Sequence, residues 1–200
     1  FRLVFGAKNA PGPGGYIAGL AALAVGLGGI LYAQSVRELA GSVPPIHDIS
    51  TDTQDPPQFT QSLIDRRTQD GARNSVDYAS KTNPADDRPL PQTQAQFYPD
   101  IAPIELGVSA DLAYHAALQT ARDMGWVVST ASPEAGMFEA TATTFWFGFK
   151  DDVVVRVTDT GLESATVDVR SVSRVGVSDL GANAARIEAF AENLRESLGA

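Results

Sequence analysis

The sequence predicts an α+β domain, a five-stranded antiparallel sheet with two helices on one face, preceded by one transmembrane helix and an extended arm. Three observations indicate this fold class. The segment 16–33 is apolar and uncharged, and it is close to the length that spans a bilayer. Short runs in the second half alternate apolar and polar residues with the period of a strand. Two longer runs, 109–125 and 180–198, carry apolar residues at the period of a helix.

The composition of the 200 residues excludes several kinds of function. The chain has no cysteine, so disulfides, thiolate catalysis and cysteine-based zinc sites are ruled out, and His47 and His115 are the only imidazoles. The formal net charge is -9. A protein that binds the nucleic-acid backbone needs a basic stripe, and this sequence has none. We therefore expect no nucleic-acid partner, no metal and no cofactor.

The segment 16–36 is predicted to be a transmembrane helix that follows an N-terminal flank at 1–15. Because the first residue is Phe1 rather than Met, we expect the chain to be truncated upstream. A secretory signal peptide is the alternative, although Leu31 and Ala33 fit the small-residue cleavage rule poorly. Small residues that would let a second helix approach closely are Gly15, Ala18, Gly19, Ala22 and Gly26. The expected partners are other transmembrane proteins or a second copy, together with the lipid bilayer.

Charges on the two flanks of this segment predict its orientation. Arg2 and Lys8 lie before it, whereas Arg37 behind it is accompanied by several acidic residues. The positive-inside rule then places the N-terminal side in the cytoplasm. The predicted location is the inner (cytoplasmic) membrane, with a single pass and the C-terminal domain in the periplasm.

Residues 37–100 are predicted to be a Pro/Asp-rich arm or linker. This region has few apolar residues in any period, so it cannot bury enough surface to fold alone. It is either an extended arm that lies on the domain or a tether. Ile46, Ile49 and Phe59 could dock on the domain, and residues 62–69 could form one short helix.

Residues 101–200 are predicted to form the α+β globular domain. A strand at 101–108 precedes a helix that Ser109 caps and Gly125 ends. The next four strands are predicted at 126–131, 137–146, 153–158 and 165–173, with one buried face. The last helix places Leu180 and Leu198 at the two ends of one apolar stripe. This order, β-α-β-β-β-β-α, is similar to the single repeat of TATA-box-binding-protein-like folds, a similarity of fold only.

Three stretches carry a resemblance to a known family: PPIHDISTD at 44–52, FWFGFKDDVVVRV at 145–157 and VRSVSRVGVSDLGANAARI at 169–187. On these stretches the chain resembles the domain-of-unknown-function 1499 family, bacterial and plastid proteins that are often membrane-anchored. The similarity covers about 44–198. It implies the domain limits and the membrane setting. It implies no catalytic residue, since the family has no established activity.

The polar turn at 170–186 is the first candidate site. Its arginines and the start of the following helix could bind a small anionic or polar ligand. The candidate residues are Asp152, Arg156, Arg170, Ser171, Ser173, Arg174, Asp179, Asn183 and Arg186. The alternative is a structural network in which Asp179 caps the helix or pairs with Arg174 or Arg186. We expect Arg174 and Asp179 to form such a pair.

Two further groups could carry chemistry. Asp151 and Asp152, with Glu139 as a strand neighbour, could act as acid and base of a hydrolase, although two aspartates in a hairpin are usually a solvated turn. His47 and the nearby carboxylates Asp48, Asp52 and Asp55 could hold a divalent cation, but their spacing matches no ligand template.

An aromatic cluster ends the second of the four strands. It comprises Phe145, Trp146 and Phe147, followed by Phe149. If these rings are exposed, they form a patch for the membrane interface or a partner; if they are buried, they belong to the core.

These observations predict a non-enzymatic, membrane-anchored extracytoplasmic domain that acts by binding, as an accessory or structural subunit of a membrane assembly. The alternative is an envelope hydrolase, or a small-anion or lipid-binding protein, that uses the polar turn at 170–186.

Overall fold

The structure is a computed structural model that describes residues 13–144 and 147–199. The chain divides into two units, and the boundary in the sequence lies between Ser42 and Val43. The N-terminal charges Arg2 and Lys8 lie outside the described residues. The same holds for Phe145 and Trp146 of the aromatic cluster.

The first unit contains helix α1 (Pro13–Ser42), which is about 45 Å long at 1.5 Å per residue. Its part Tyr16–Ser42 has a mean hydropathy of 1.8 over its most apolar window. Among the described residues, α1 is the one helix whose length and composition would let it cross a membrane. It ends six residues after the predicted end at Val36. The added segment contains Arg, Glu, Leu and Ala, which all favour helix.

The second unit is built on an open antiparallel sheet. Its strands are β1 (Asp48–Ser50), β2 (Ile104–Leu106), β3 (Val127–Ser132), β4 (Met137–Thr143), β5 (Lys150–Gly161) and β6 (Ser164–Ser173). The spatial order is β1-β6-β5-β4-β3, and β2 pairs with the other end of β6. The predicted α+β class is therefore confirmed, but the described sheet has six strands. The additional strand, β1, comes from the predicted arm.

The described part of the second unit contains four α-helices: α2 (Gln61–Gln69), α3 (Leu90–Phe97), α4 (Ala110–Asp123) and α5 (Ala182–Ser197). Ser109 caps α4 as predicted, because its side chain accepts a hydrogen bond from the Leu112 amide. Helix α5 begins two residues later than predicted. Leu180 and Gly181 have φ angles of 55° and 83°, outside the right-handed helical region. Leu180 is therefore exposed and does not extend the apolar stripe.

Helices α4 and α5 cover the same face of the sheet, as predicted. Ala113, Ala117 and Ala121 of α4 are fully buried, and such small side chains allow the helix to approach the strands closely. Phe190 of α5 stacks on Trp126, with ring centroids 5.2 Å apart. This face holds the larger apolar core of the unit.

The opposite face of the sheet is also buried, because the predicted arm lies on it. Phe59 and Leu63 pack there against Val154 of β5 and Val172 of β6. Residues 43–100 thus belong to the same compact unit as the rest of the domain. The alternation in β5 and β6 predicted one buried face, and that prediction is wrong. The polar residues on the second face are buried because the arm supplies partners for them.

Candidate functional site

The sheet divides the predicted site residues between its two faces, because side chains alternate along a strand. Asp152, Arg156, Arg170 and Arg174 contact the arm. Ser171, Ser173, Asn183 and Arg186 bind one another on the face that carries α5. Asp179 lies at the start of α5. The nine candidate residues therefore do not converge on one ligand site.

Arg170 forms the most deeply buried ion pair of the second face. Its Nε donates to Asp48 Oδ1 at 3.0 Å and its Nη2 donates to Asp48 Oδ2 at 2.9 Å. Two arm carbonyls, those of Pro57 and Val76, accept further hydrogen bonds at 3.2 and 2.5 Å. Both charged side chains are fully buried. Arg170 thus fastens the sheet to the arm at several points along the arm sequence.

Two aromatic rings enclose the Arg170 guanidinium. Its central carbon lies 5.2 Å from the ring centroids of both Phe59 and Tyr78. A cation this close to ring faces is stabilised by their quadrupoles, and more strongly where water is excluded. Lys81 Nζ adds a second cation, 2.5 Å from Asp48 Oδ2. Together these groups form a buried structural network.

Asp152 is the centre of a second buried cluster on this face. Arg174 binds both its carboxylate oxygens, each at 2.8 Å. Thr141 Oγ1 donates to Oδ1 at 2.8 Å, and Arg67 of α2 donates to Oδ2. Asp70, the residue that follows α2, accepts from Arg174 Nη1 at 2.5 Å. The predicted Arg174–Asp179 pair is therefore wrong, because Arg174 continues β6 onto the arm face, where Asp152 and Asp70 lie.

Arg156 occupies the outer end of the same face and is surrounded by carboxylates. It contacts Asp168 of β6 at 3.0 Å, Asp55 at 2.8 Å and Asp52 at 3.4 Å. Burial lowers the pKa of the Arg156 guanidinium, but the hydrogen bond and charge of Asp168, together with Asp55, outweigh it and hold the pKa above its usual value. The two aspartates of the arm thus neutralise Arg156.

A smaller polar cluster lies on the helix face, where α5 begins. Asn183 accepts from Ser171 Oγ at 2.6 Å and donates to Ser173 Oγ at 2.9 Å. Arg186 binds Asp151 at 2.5 Å and Ser171 at 3.0 Å. These side chains therefore provide one another with hydrogen-bond partners at the edge of the core. The cluster links the start of α5 to the start of β5 and the end of β6.

Asp179 caps α5, which confirms one of the two structural roles expected for it. Its Oδ1 accepts from the Gly181 amide at 2.9 Å and its Oδ2 from the Asn183 amide at 3.0 Å. Burial raises the pKa of the Asp179 carboxyl, although the two amides favour its charged form. Both oxygens of the Asp179 carboxylate are therefore engaged in hydrogen bonds with backbone amides.

Asp179→Ala is expected to lower the free energy of unfolding by about 1 to 2 kcal/mol, because two amides at the start of α5 lose their acceptor. Asp179→Asn should cost less than about 0.5 kcal/mol, since asparagine caps nearly as well and avoids burying a charge. Urea unfolding of the detergent-solubilised chain at pH 7 would measure both. The loss in Asp179→Ala should add to that of Arg174→Ala in the double variant, because the two side chains do not interact. Equal losses in the Ala and Asn variants would contradict the capping role.

The carboxylates considered for acid–base catalysis are kept apart. Asp151 and Asp152 are both buried in β5 and project to opposite faces, so they are not a solvated turn. Asp151 binds Arg186, while Asp152 binds Arg67 and Arg174. Glu139 accepts from the Thr60 amide and hydroxyl, at 2.6 and 2.8 Å. The structure therefore does not assemble these carboxylates as a pair.

The carboxylates near His47 are also bound to cations of the domain. Asp48 binds Arg170, and Asp52 and Asp55 bind Arg156. In the part of the chain that the structure describes, no group of three histidine or acidic side chains is arranged to hold a metal ion. His47 Nδ1 instead lies 3.1 Å from the Val177 carbonyl oxygen.

An apolar groove lies beside the polar turn, at the end of the sheet where β5 begins and β6 ends. Its volume is about 380 Å³, within the size range of small-molecule sites. It is lined mainly by Phe147, Phe149, Val175, Leu180 and Ala182, with Asp151 and Asp179 at its polar edge. Of the predicted aromatic patch, Phe147 is exposed, and it stacks on Phe149 with centroids 5.7 Å apart.

The contribution of Val175 and Leu180 to this groove was not predicted. The signal in the sequence was weak: apolar residues are interleaved with serine, glycine and aspartate in RVGVSDLG. A short loop without a regular period does not indicate which side chains face outward.

Comparison with known proteins assigns the chain to a family but does not indicate an activity. Among solved structures, the di-domain ARO/CYC BexL from the BE-7585A biosynthetic pathway matches with 15% identity and a TM-score of 0.33. The match covers 48% of this chain and 42% of that one, so this chain spans less than half of that protein. No curated protein matches. The sequence profile of the family described as "Protein of unknown function (DUF1499)" matches residues 48–194, from β1 to the last turns of α5. The chain therefore belongs to the DUF1499 family.

Proposed function

We propose that this protein is a membrane-anchored domain that acts by binding, as an accessory or structural subunit of a membrane assembly. In this proposal α1 spans the inner membrane, with the second unit on the periplasmic side. The helix partner is another transmembrane protein or a second copy of this chain. The proposed role of the domain is binding rather than catalysis.

The proposal rests on one observation: the charged residues at and beside the polar turn are paired with other groups of the same domain. Asp152, Arg170 and Arg174 are buried, and their charges are paired with side chains of the sheet and the arm. Removing such groups from water is costly unless each one is compensated. A hydrolase or an anion-binding site would need them to line an open pocket. Their arrangement supports a role in holding the fold, and it is consistent with a function that uses other parts of the surface.

The position of α1 supports anchoring. The helix ends at Ser42, and Pro44 and Ile46 are already buried in the second unit. The connection between α1 and the second unit is therefore short in sequence. Along α1, Ala18, Gly19, Ala22 and Gly26 are exposed, and small side chains allow close helix contacts in lipid.

Extraction experiments test the proposal. The full chain should remain in the membrane pellet after an alkaline carbonate wash, and a variant without residues 13–42 should be released. In mild detergent, pulldown should recover a stable membrane partner or a homo-oligomer. A full chain released by carbonate, or a lone monomer after gentle extraction, would contradict the proposal.

A matched pair of variants tests the α1 contact. Ala22→Ile should reduce partner recovery several-fold, because a branched side chain keeps the helices apart. Ala24→Ile adds the same side chain on the opposite side of the helix, about 200° away, and should leave recovery unchanged. If both variants behave alike, the contact does not use the row of small residues.

A further inference from the structure

We infer that the end of the second unit that carries the apolar groove rests in the interfacial layer of the bilayer spanned by α1. This inference rests on the proposed function, because it requires α1 to cross the membrane. The surface is formed by two neighbouring loops and is called here the loop surface. Its residues are Phe147, Phe149, Val175, Val177 and Leu180.

The loop surface is apolar and exposed. Phe147 is 70% exposed and Val177 is 62% exposed, and the other three residues are exposed as well. Large apolar side chains that are adjacent and exposed mark contacts with a membrane or another protein. The groove between the two loops would leave about 380 Å³ of apolar space facing water if nothing covered it.

The loop surface lies next to the first residues of the second unit. The Asp179 amide donates to the Ile46 carbonyl at 3.1 Å, and His47 Nδ1 contacts the Val177 carbonyl at the same distance. Gly181 packs beside Val43, the residue that directly follows α1. Within the second unit, the loop surface and the attachment point of the helix are therefore at the same end.

The length of α1 sets the distance from this attachment point to the bilayer. The apolar run ends at Ala33, nine residues before Ser42. Nine helical residues span roughly 13 Å, and the headgroup layer is about 5 to 8 Å thick. An upright helix would therefore place Val43 roughly 5 to 10 Å outside the headgroups, and the usual tilt of about 20° shortens this distance by about 1 Å. The loop surface is within reach of the interface.

Charge complementarity favours a lipid surface as the occupant. Arg73 and Lys150 are exposed at this end; Lys150 also lies 4.0 Å from Asp70, and the Arg73 amide donates to the Arg174 carbonyl at 2.8 Å. The neighbouring carboxylates are already engaged: Asp151 by Arg186, Asp179 by backbone amides and Asp70 by Arg174. In a chain of net charge -9, this end thus presents cations beside apolar side chains. Anionic headgroups attract such cations.

The absence of cysteine makes the test direct, because single cysteines can be introduced and spin-labelled without background. The full chain is labelled at Val177→Cys or Phe147→Cys and reconstituted in nanodiscs of phosphatidylcholine and phosphatidylglycerol. Leu162→Cys is the control, since Leu162 is fully exposed at the far end of β5 and β6, about 35 Å along the strands. Collisions with oxygen report lipid, and collisions with a water-soluble nickel chelate report water.

We expect the labels at 147 and 177 to collide more with oxygen and several-fold less with nickel than the label at 162. If the labels at 147 and 177 are as accessible to nickel as that at 162, the inference is overturned. Spin–spin broadening that disappears on dilution with unlabelled protein would also overturn it, since a second copy would then cover the loop surface.

A label in the middle of α1, at Ala24→Cys, separates this inference from the proposed function. If Ala24 is in lipid and Val177 is in water, the anchor stands and the loop surface does not touch the bilayer. If Ala24 is in water, both ideas fail. Unchanged urea midpoints of the labelled variants would show that labelling leaves the fold intact.

Discussion

Arg170→Met is expected to lower the free energy of unfolding by about 3 to 5 kcal/mol, the usual cost of breaking a buried ion pair. The substitution leaves the Asp48 carboxylate fully buried with Lys81 as its remaining cation. It also removes the donors to the Pro57 and Val76 carbonyls, which hold the arm on the sheet. Urea unfolding of the full chain in detergent would measure the loss, with fluorescence of buried Trp126 as one reporter.

Arg122→Met is the matched control for this variant. Arg122 is exposed on α4, so its replacement should change the unfolding free energy by less than about 0.5 kcal/mol. A loss in Arg170→Met that is no larger than in the control would show that the buried pair does not hold the arm.

The Asp48–Arg170 pair also predicts how stability depends on pH. Burial alone would raise the pKa of Asp48, but the hydrogen bonds and charge of Arg170, with Lys81, outweigh it and hold that pKa below its usual value. The contribution to stability is therefore fully present above about pH 4, the pKa of an unfolded aspartate, and is lost as pH falls through the lowered pKa. In Arg170→Met this contribution is reduced, because Lys81 is the remaining cation beside Asp48. The difference in stability between the two proteins should shrink below pH 4.

Asp152→Ala is expected to cause a second large loss, again about 3 to 5 kcal/mol. Asp152 is the shared partner of Arg67 and Arg174, two cations that are themselves buried. Removing the carboxylate leaves two like charges close together on the covered face. Asp70 remains with Arg174 but is itself largely exposed, so it compensates little.

Two neighbouring residues of α2 provide the comparison for this prediction. Arg67→Met removes a buried donor to Asp152, whereas Arg66→Met changes an exposed side chain. The first should be destabilising and the second nearly neutral. The double variant with Asp152→Ala should lose less than the sum of the Asp152 and Arg67 singles, because both break the same contact. Simple additivity would mean that Asp152 and Arg67 act independently.

These networks explain why the sequence predicted the sheet better than the site. The apolar residues of β5 and β6 alternate with Asp152, Arg156, Asp168 and Arg170, and such a pattern normally indicates a face in water. The same pattern results when a segment from elsewhere supplies a countercharge for each polar residue. Asp48 and Arg170 are 122 positions apart, so no local period connects them.

The sequence by itself determined the local structure. Strand alternation, helical periodicity, the Ser109 cap and the long uncharged apolar run all depend on neighbouring residues, and the α+β class and α1 followed from them. Only the tertiary structure decided which charges meet. Pairs such as Arg174 with Asp152, rather than Asp179, depend on which face of the sheet a side chain takes and on what covers that face. Coulomb attraction acts through space between groups that folding brings together, and the spacing of residues along the chain does not record it.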